Sequence, residues 1–318
     1  MPAPKPKRLL ALLAAALAAG ACSLTETTTT PGEDRVVVEA VLRTDVARQD
    51  ILLHRTLDGR FAGGVEGATV VVTDSLGGRF VFSPSTGCYE ISQLYIISDS
   101  LEFQGSCYSN EPNVRWVFPG LRYDLRIELP DGGVIQGRTR VPGDFQVVGL
   151  PDTDLLHSTH PCSLAPDSTL PLVWRRSAGA WSYVAQMRIF GLRAALTPRG
   201  IDNAPDPFEL RGLAVSATDT TILLPTEFGV FERLQYDQKL LLAIQNGLPE
   251  GTQAQLVIAA ADRNWVNGVR GGSFNPSGQV RISSVVGDGV GVFGSLTARS
   301  AYIAVDQHTG YIRCGNDP

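Results

Sequence analysis

The chain has 318 residues, among them 33 Gly, 20 Pro and 5 Cys, and a formal net charge of −5. That length accommodates two domains of about 100–200 residues or one large β domain, either able to bury a full core. Only three lysines occur, Lys5, Lys7 and Lys239, so an acidic chain this poor in lysine offers no electrostatic footprint for nucleic acid and no polybasic patch for anionic lipid.

Lys5, Lys7 and Arg8 precede the run Leu9–Cys22, LLALLAAALAAGAC. A charged start, an apolar stretch and then small residues is the layout of a secretory signal. At about 13 residues the apolar run is shorter than the roughly 20 that a bilayer core demands. Removal of Lys5, Lys7 and Arg8 takes the formal charge from −5 to −5 − 3 = −8. Ala19-Gly20-Ala21-Cys22 resembles the lipobox of bacterial lipoproteins, with Ala19 where Leu is commoner. That resemblance implies acylation of Cys22, which becomes the new N-terminus and ties the chain to a membrane through its acyl chains. Each buried CH₂ contributes about 0.8 kcal/mol, and more than one chain is needed for stable anchoring. The alternative is an ordinary secretory signal cut near Ala21. Ser23 after the cysteine is compatible with sorting to the outer membrane rather than the inner.

Residues 23–34, SLTETTTTPGED, are too polar to order themselves and read as a tether. Residues 35–145 read as a β-sandwich domain. Arg35–Thr44, Asp50–Thr56, Ala68–Asp74 and Arg79–Ser83 have strand character, and Ser75-Leu76-Gly77-Gly78 makes a tight turn. In Tyr123–Leu129 the apolar residues Tyr123, Leu125, Ile127 and Leu129 alternate with Asp124, Arg126 and Glu128. Period two with one wet face is a half-buried antiparallel strand. After Pro130-Asp131-Gly132-Gly133, the residues Ile135, Gly137, Thr139 and Val141 alternate with Gln136, Arg138 and Arg140 to complete a hairpin. Short strands with turns at regular spacing suggest a sandwich. The run Gly64–Val70, the turn at Asp74–Gly78, Gly87-Cys88-Tyr89 and Pro119–Leu125 resemble immunoglobulin-like or transthyretin-like modules, which are mostly structural.

Residues 146–318 read as a second β-rich domain with one or two short helices. Leu150–Asp167 has the composition of a linker or long loop. Leu170–Trp174 and Trp181–Phe190 read as strands, the latter with Trp181, Tyr183, Ala185, Met187 and Ile189 on one face. A short helix is expected within Leu223–Gln235, a buried strand at Gln253–Ala261 and a helical turn at Asp262–Val269. Gln279–Val286 and Ser295–Asp306 finish the sheet. The expected fold class is all-β throughout.

If Cys22 carries lipid, Cys88, Cys107, Cys162 and Cys314 remain, and four cysteines allow three pairings. We favour Cys88–Cys107, a short local loop, and Cys162–Cys314, which ties the start of the C-terminal half to the chain end. An oxidising envelope permits both, the alternative being buried free thiols. No CxxC occurs, so zinc ribbons and thioredoxin-type chemistry have no support.

Together with the lipobox, VVVEAVLRTD, GVEGATVVVTDSLGG, PGLRYDLRIELPDGGVIQGRTRVPG and FNPSGQVRISSVVGDGVGVFGS resemble the lipoproteins of domain-of-unknown-function family 4249, over most of residues 35–300. The family has no assigned chemistry. Its members are often found near TonB-dependent outer-membrane receptors, which implies a role in nutrient uptake at the outer membrane.

Candidate chemistry is sparse, and no cofactor is expected. Gly289–Gly294 spells GxGxxG, but the residues after it read as a strand rather than the helix a dinucleotide site requires, so a glycine-rich hairpin turn is expected. Asp152, Asp154, His157 and His160 suit a divalent metal, although Pro151 and Pro161 argue for a solvated irregular loop. His54 and His308 are isolated and read as exposed. Gly271-Gly272-Ser273-Phe274 has no partner that would make Ser273 a nucleophile. Trp116, Trp174, Trp181 and Trp265 read as core or as sugar-stacking rings. The polar neighbours of Trp265 place it at an edge and make it the leading ligand candidate. The sequence therefore favours a non-catalytic, lipid-anchored envelope protein that binds a partner, with a surface hydrolase or a glycan- or peptide-capturing lipoprotein as the alternative.

Overall fold

The computed structural model describes residues 34–56, 63–88, 105–110, 112–150, 161–214, 216, 218–229, 238–270, 282–306 and 312–315. In the first half the strands are β1 (Val36–Arg43), β2 (Gln49–Arg55), β3 (Thr69–Asp74), β4 (Arg79–Ser85), β5 (Ser106–Asn110), β6 (Arg122–Glu128) and β7 (Val134–Arg140). The alternation expected along β6 is present: Tyr123, Leu125 and Ile127 are buried, while Arg122, Arg126 and Glu128 are exposed. β7 returns antiparallel, setting Tyr123 opposite Thr139, Leu125 opposite Gly137 and Ile127 opposite Ile135. Asp74 shapes the β3–β4 turn, its Oδ1 accepting from the N–H groups of Leu76 and Gly78, both at 2.8 Å.

The second half contributes β8 (Val147–Val148), β9 (Cys162–Leu164), β10 (Leu170–Trp174), β11 (Ser182–Phe190), α1 (Leu192–Leu196), β12 (Phe208–Ala214), β13 (Thr221–Leu224), α2 (Gln238–Ile244), β14 (Gln253–Ala261), α3 (Arg263–Arg270), β15 (Val285–Gly287) and β16 (Gly289–Val305). Three short α-helices are thus described where one or two were expected, with a 3-10 turn at Thr197–Arg199 following α1. The helix expected within Leu223–Gln235 is not found in the described part of that span. Leu223 and Leu224 end β13, and Phe228 N–H turns back to the Pro225 carbonyl at 3.0 Å.

The chain is all-β in class. The main sheet runs β12-β11-β14-β16-β1-β2-β5-β4-β3-β6-β7-β15, with β9 beside β16, and a smaller sheet runs β13-β10-β8. β4 changes partner midway. Its first residues pair with β3 and its last with β5, which lets one strand order fold over into two layers. The first core lies between those layers, filled by Val38 and Ala40 of β1, Ile51 and Leu53 of β2, Val70 and Val72 of β3, and Tyr123 and Ile127 of β6. The second core lies between the main sheet and the three-stranded one, with Met187 and Ile189 of β11, Leu256 and Ile258 of β14, and Leu172 and Trp174 of β10.

β16 decides how the two halves relate. Gly289–Leu296 pairs in parallel with β1, and Leu296–Ala304 pairs antiparallel with β14. A parallel neighbour cannot come from a hairpin and requires a long connection. Here β1 takes its parallel neighbour from the far end of the chain. Val285 and Phe293 therefore pack in the first core, and the expected division at 145/146 is crossed by β15 and β16. Asp34–Pro318 is one compact unit.

The sequence GVGVFG lies inside β16 and is not a hairpin turn. Its glycines answer close approach by β1, β7 and α3. A Cβ on Gly291, whose φ is +131°, would sit 2.1 Å from the Val38 carbonyl oxygen of β1.

Candidate functional site

Cys22, Asp152, Asp154, His157, His160, Ser273 and His308 lie outside the described residues. Among the described residues no group of three or more His, Cys, Asp or Glu is placed to hold a metal ion. The favoured disulfides are both formed. Cys88 and Cys107 have Cα atoms 5.5 Å apart, and Cys162 and Cys314 have theirs 5.0 Å apart. His54 is half-buried rather than exposed. Its Nδ1 lies 3.0 Å from the Arg55 carbonyl oxygen, which can only accept, and its Nε2 faces Glu39 Oε1 at 3.4 Å.

Trp265 is not at an edge. It is buried, 4% exposed, in an apolar cluster with Val41, Leu52, Leu296 and Ala298. Its polar neighbours are turned inward to hold the helix it belongs to. Asp262 Oδ1 accepts the Trp265 N–H at 2.8 Å, which is N-cap geometry for α3. Asp262 Oδ2 accepts from the Thr139 hydroxyl at 2.6 Å, and Thr139 Oγ1 lies 2.7 Å from Ser295 Oγ. Asn264 Nδ2 donates to the carbonyls of Arg138 and Phe293. Burial pushes the Asp262 carboxyl above its usual pKa, and the hydrogen bonds from Thr139, Trp265, Ser295 and Asn264 act against that rise. This cluster fastens α3 to β7 and β16.

Trp116 and Trp174 are also buried, leaving Trp181, 47% exposed, as the solvent-facing ring among the four. The Arg263 guanidinium lies 4.9 Å from its centroid, a cation–π contact. Trp181 precedes β11 and so falls off the buried face that Tyr183, Ala185, Met187 and Ile189 share.

A groove of about 730 Å³ lies on the outer face of β3, β6, β7 and β15. It is the wet side of the hairpin whose other side fills the first core. Strand register sorts its side chains into rows. Thr73 lies between Arg79 and Asp124, and Asp124 faces Arg138. In the next row Val71 lies between Val81 and Arg126, and Arg126 faces Gln136, whose other neighbour is Val286. Arg138 Nε meets Asp124 Oδ1 at 2.5 Å, and Arg126 meets Glu128 at 3.0 Å. Arg79 has no ion-pair partner among the described residues. A smaller cavity of about 230 Å³ lies beside α2, lined by Leu241, Leu242 and Phe228.

No family model matches the chain, and no curated protein matches it. Several solved structures are similar. A crystal structure of a domain-of-unknown-function 4785 family protein from Legionella pneumophila aligns with 70% of this chain and 51% of its own, at 11% identity and a TM-score of 0.20. This chain therefore spans about half the length of that protein. Trypsin-activated alpha-2-macroglobulin from Escherichia coli aligns over 74% of this chain and 15% of its own, at 10% identity and a TM-score of 0.19. The fibronectin(III)-like modules of Clostridium thermocellum CbhA align over 85% of this chain and 94% of their own, at 11% identity and a TM-score of 0.18. Likeness at this level carries no functional argument.

The groove was legible in part. The alternation that marks β6 and β7 as half-buried also names Asp124, Arg126, Gln136 and Arg138 as its wet face. The contributions of β3, β4 and β15 depend on which strands become neighbours, and no local signal carries that.

Proposed function

We propose that this protein is a non-catalytic, lipid-anchored component of the bacterial cell envelope, held at the outer membrane by acyl chains on Cys22, that binds a partner protein of a TonB-dependent uptake system. The observation that carries the anchoring is cysteine accounting. Cys88, Cys107, Cys162 and Cys314 are consumed by one another in two disulfides. Cys22 is the remaining cysteine of 5, and it stands at the end of a charged, apolar and then small-residue leader. Disulfides also suit an oxidising compartment outside the cytosol. The resemblance to lipoproteins of family 4249 supports the choice of uptake system, and the groove on the outer face of β3, β6, β7 and β15 supplies a surface for a partner.

Metabolic labelling with an alkyne-bearing fatty acid tests the anchor. The wild-type chain takes up label and fractionates with membranes, and Cys22→Ala does neither. A wild-type chain without label, or label that persists in Cys22→Ala, overturns the reading. Crosslinking in intact cells followed by mass spectrometry tests the partner, with a TonB-dependent receptor as the expected product.

A further inference from the structure

The groove face concentrates positive charge on a chain that is acidic as a whole. Its strands present five arginines outward, Arg79 on β4, Arg122 and Arg126 on β6, and Arg138 and Arg140 on β7, against two acids, Asp124 and Glu128. The chain's formal charge is −5, so the opposite sign is gathered here. Both acids are already engaged. Asp124 is shared between Arg138 at 2.5 Å and Arg122 at 3.6 Å, and Glu128 holds Arg126 at 3.0 Å.

The register adds a second fact. Arg122 and Arg140 are direct cross-strand partners. Like charges placed opposite each other on one sheet face oppose pairing, so this arrangement does nothing for the stability of the hairpin. Among the described residues Arg140 is met only by the Gly120 carbonyl at 3.3 Å, and Arg79 has no ion-pair partner. Guanidinium groups present planar forks suited to carboxylates. Alternate residues along a strand are about 6.8 Å apart, and Arg138 and Arg140 have that spacing. An extended peptide lying along the strands repeats its own alternate side chains at the same interval, so carboxylates at alternate positions fall in step with the arginines.

The geometry points to an acidic, extended segment of a partner protein as the occupant of this face, its Asp or Glu side chains at alternate positions meeting Arg138 and the Arg122–Arg140 pair along β6 and β7, with Arg79 adding positive charge two strands from β6 on the same face. This deepens the reading of the chain as a binding component and rests on it. The partner is recognised by charge and strand-like spacing rather than by an apolar pocket.

The test uses the full chain, purified from membranes with both disulfides intact, and fluorescence anisotropy of a labelled peptide alternating Glu with Val. Arms with a Gln-Val peptide and with polygalacturonate separate charge from shape and peptide from glycan. The Glu-Val peptide binds, the Gln-Val peptide does not, and affinity falls as salt shortens the Debye length from about 10 Å to about 3 Å. Arg79→Glu with Arg140→Glu weakens binding about tenfold or more. Arg79→Gln with Arg140→Gln weakens it in the same direction, with a melting temperature no lower than wild type because a like-charge pair has gone. Equal binding of the two peptides, unchanged affinity in both double variants, or binding of polygalacturonate alone overturns the inference. Lipid labelling at Cys22 is independent of all three outcomes, so failure here is distinguishable from failure of the anchor.

Discussion

Removing the Cys162–Cys314 cross-link tests how the chain end is held. That disulfide spans 152 positions, against 19 for Cys88–Cys107. In the chain-entropy account a cross-link removes about 2.1 + 1.5R ln n cal/mol/K from the unfolded ensemble, where n is the loop length. At 298 K this is about 5 kcal/mol for the long loop and about 3 kcal/mol for the short one. A natural domain has roughly 5–15 kcal/mol in all, so the long cross-link is a large share. Cys162 is fully buried, so alanine at both positions avoids introducing a buried hydroxyl. What remains locally is modest: β9 pairs with β16 over three residues, and Cys314 N–H donates to the Ser163 carbonyl at 3.0 Å. Urea unfolding followed by tryptophan fluorescence and by far-ultraviolet dichroism measures the loss and shows whether the two probes coincide. Cys162→Ala with Cys314→Ala is expected to lose about 2 kcal/mol more than Cys88→Ala with Cys107→Ala. Equal losses, or a larger loss for the short loop, refute the entropic reasoning.

Asp262 and Gly291 give two further expectations. The folded pKa of Asp262 lies above its unfolded value of about 3.9, so its contribution to stability is full below that pH and is lost as pH rises through the folded value. Asp262→Asn removes the titration, and wild-type stability measured against this variant should fall as pH rises above the unfolded value of about 3.9; a difference independent of pH sinks the assignment. Asp262→Ala removes the N-cap and leaves the Thr139 hydroxyl without its carboxylate, at a cost of about 1–2 kcal/mol or more in urea unfolding. Gly291→Ala drives a methyl group into the Val38 carbonyl and forces β1 from β16, a loss of about 3 kcal/mol or more. A melting temperature within a degree or so of wild type would show that the parallel pairing is not as close as described.

Local chemistry made the strands legible. Tyr123, Leu125 and Ile127 against Arg122, Arg126 and Glu128, and Tyr183, Ala185, Met187 and Ile189 along β11, declare themselves because side chains alternate across a strand with period two. The short polar strand β5 was not visible, because Ser106–Asn110 has too few apolar residues to show a period. Trp265 was misplaced for a physical reason. Asp262 and Asn264 look like solvent-facing residues in sequence, yet Asp262 spends its carboxylate on the Trp265 N–H of α3 and the Thr139 hydroxyl of β7, and Asn264 its amide on carbonyls of β7 and β16.

By itself, then, the sequence determined the all-β class, the hairpin of β6 and β7 with its wet face, and the favoured cysteine pairing. The first two rest on periodicity and turn chemistry, which act between near neighbours in the chain; the pairing follows from the short Cys88–Cys107 loop, which leaves Cys162 to Cys314 across 152 positions. Only the tertiary structure decided that Gly289–Leu296 lies beside β1, that Val285 and Phe293 complete the first core, and that Arg79 joins Arg138 across β3 and β6. Those outcomes depend on which distant strands pair, and hydrogen bonding between strands is indifferent to sequence separation.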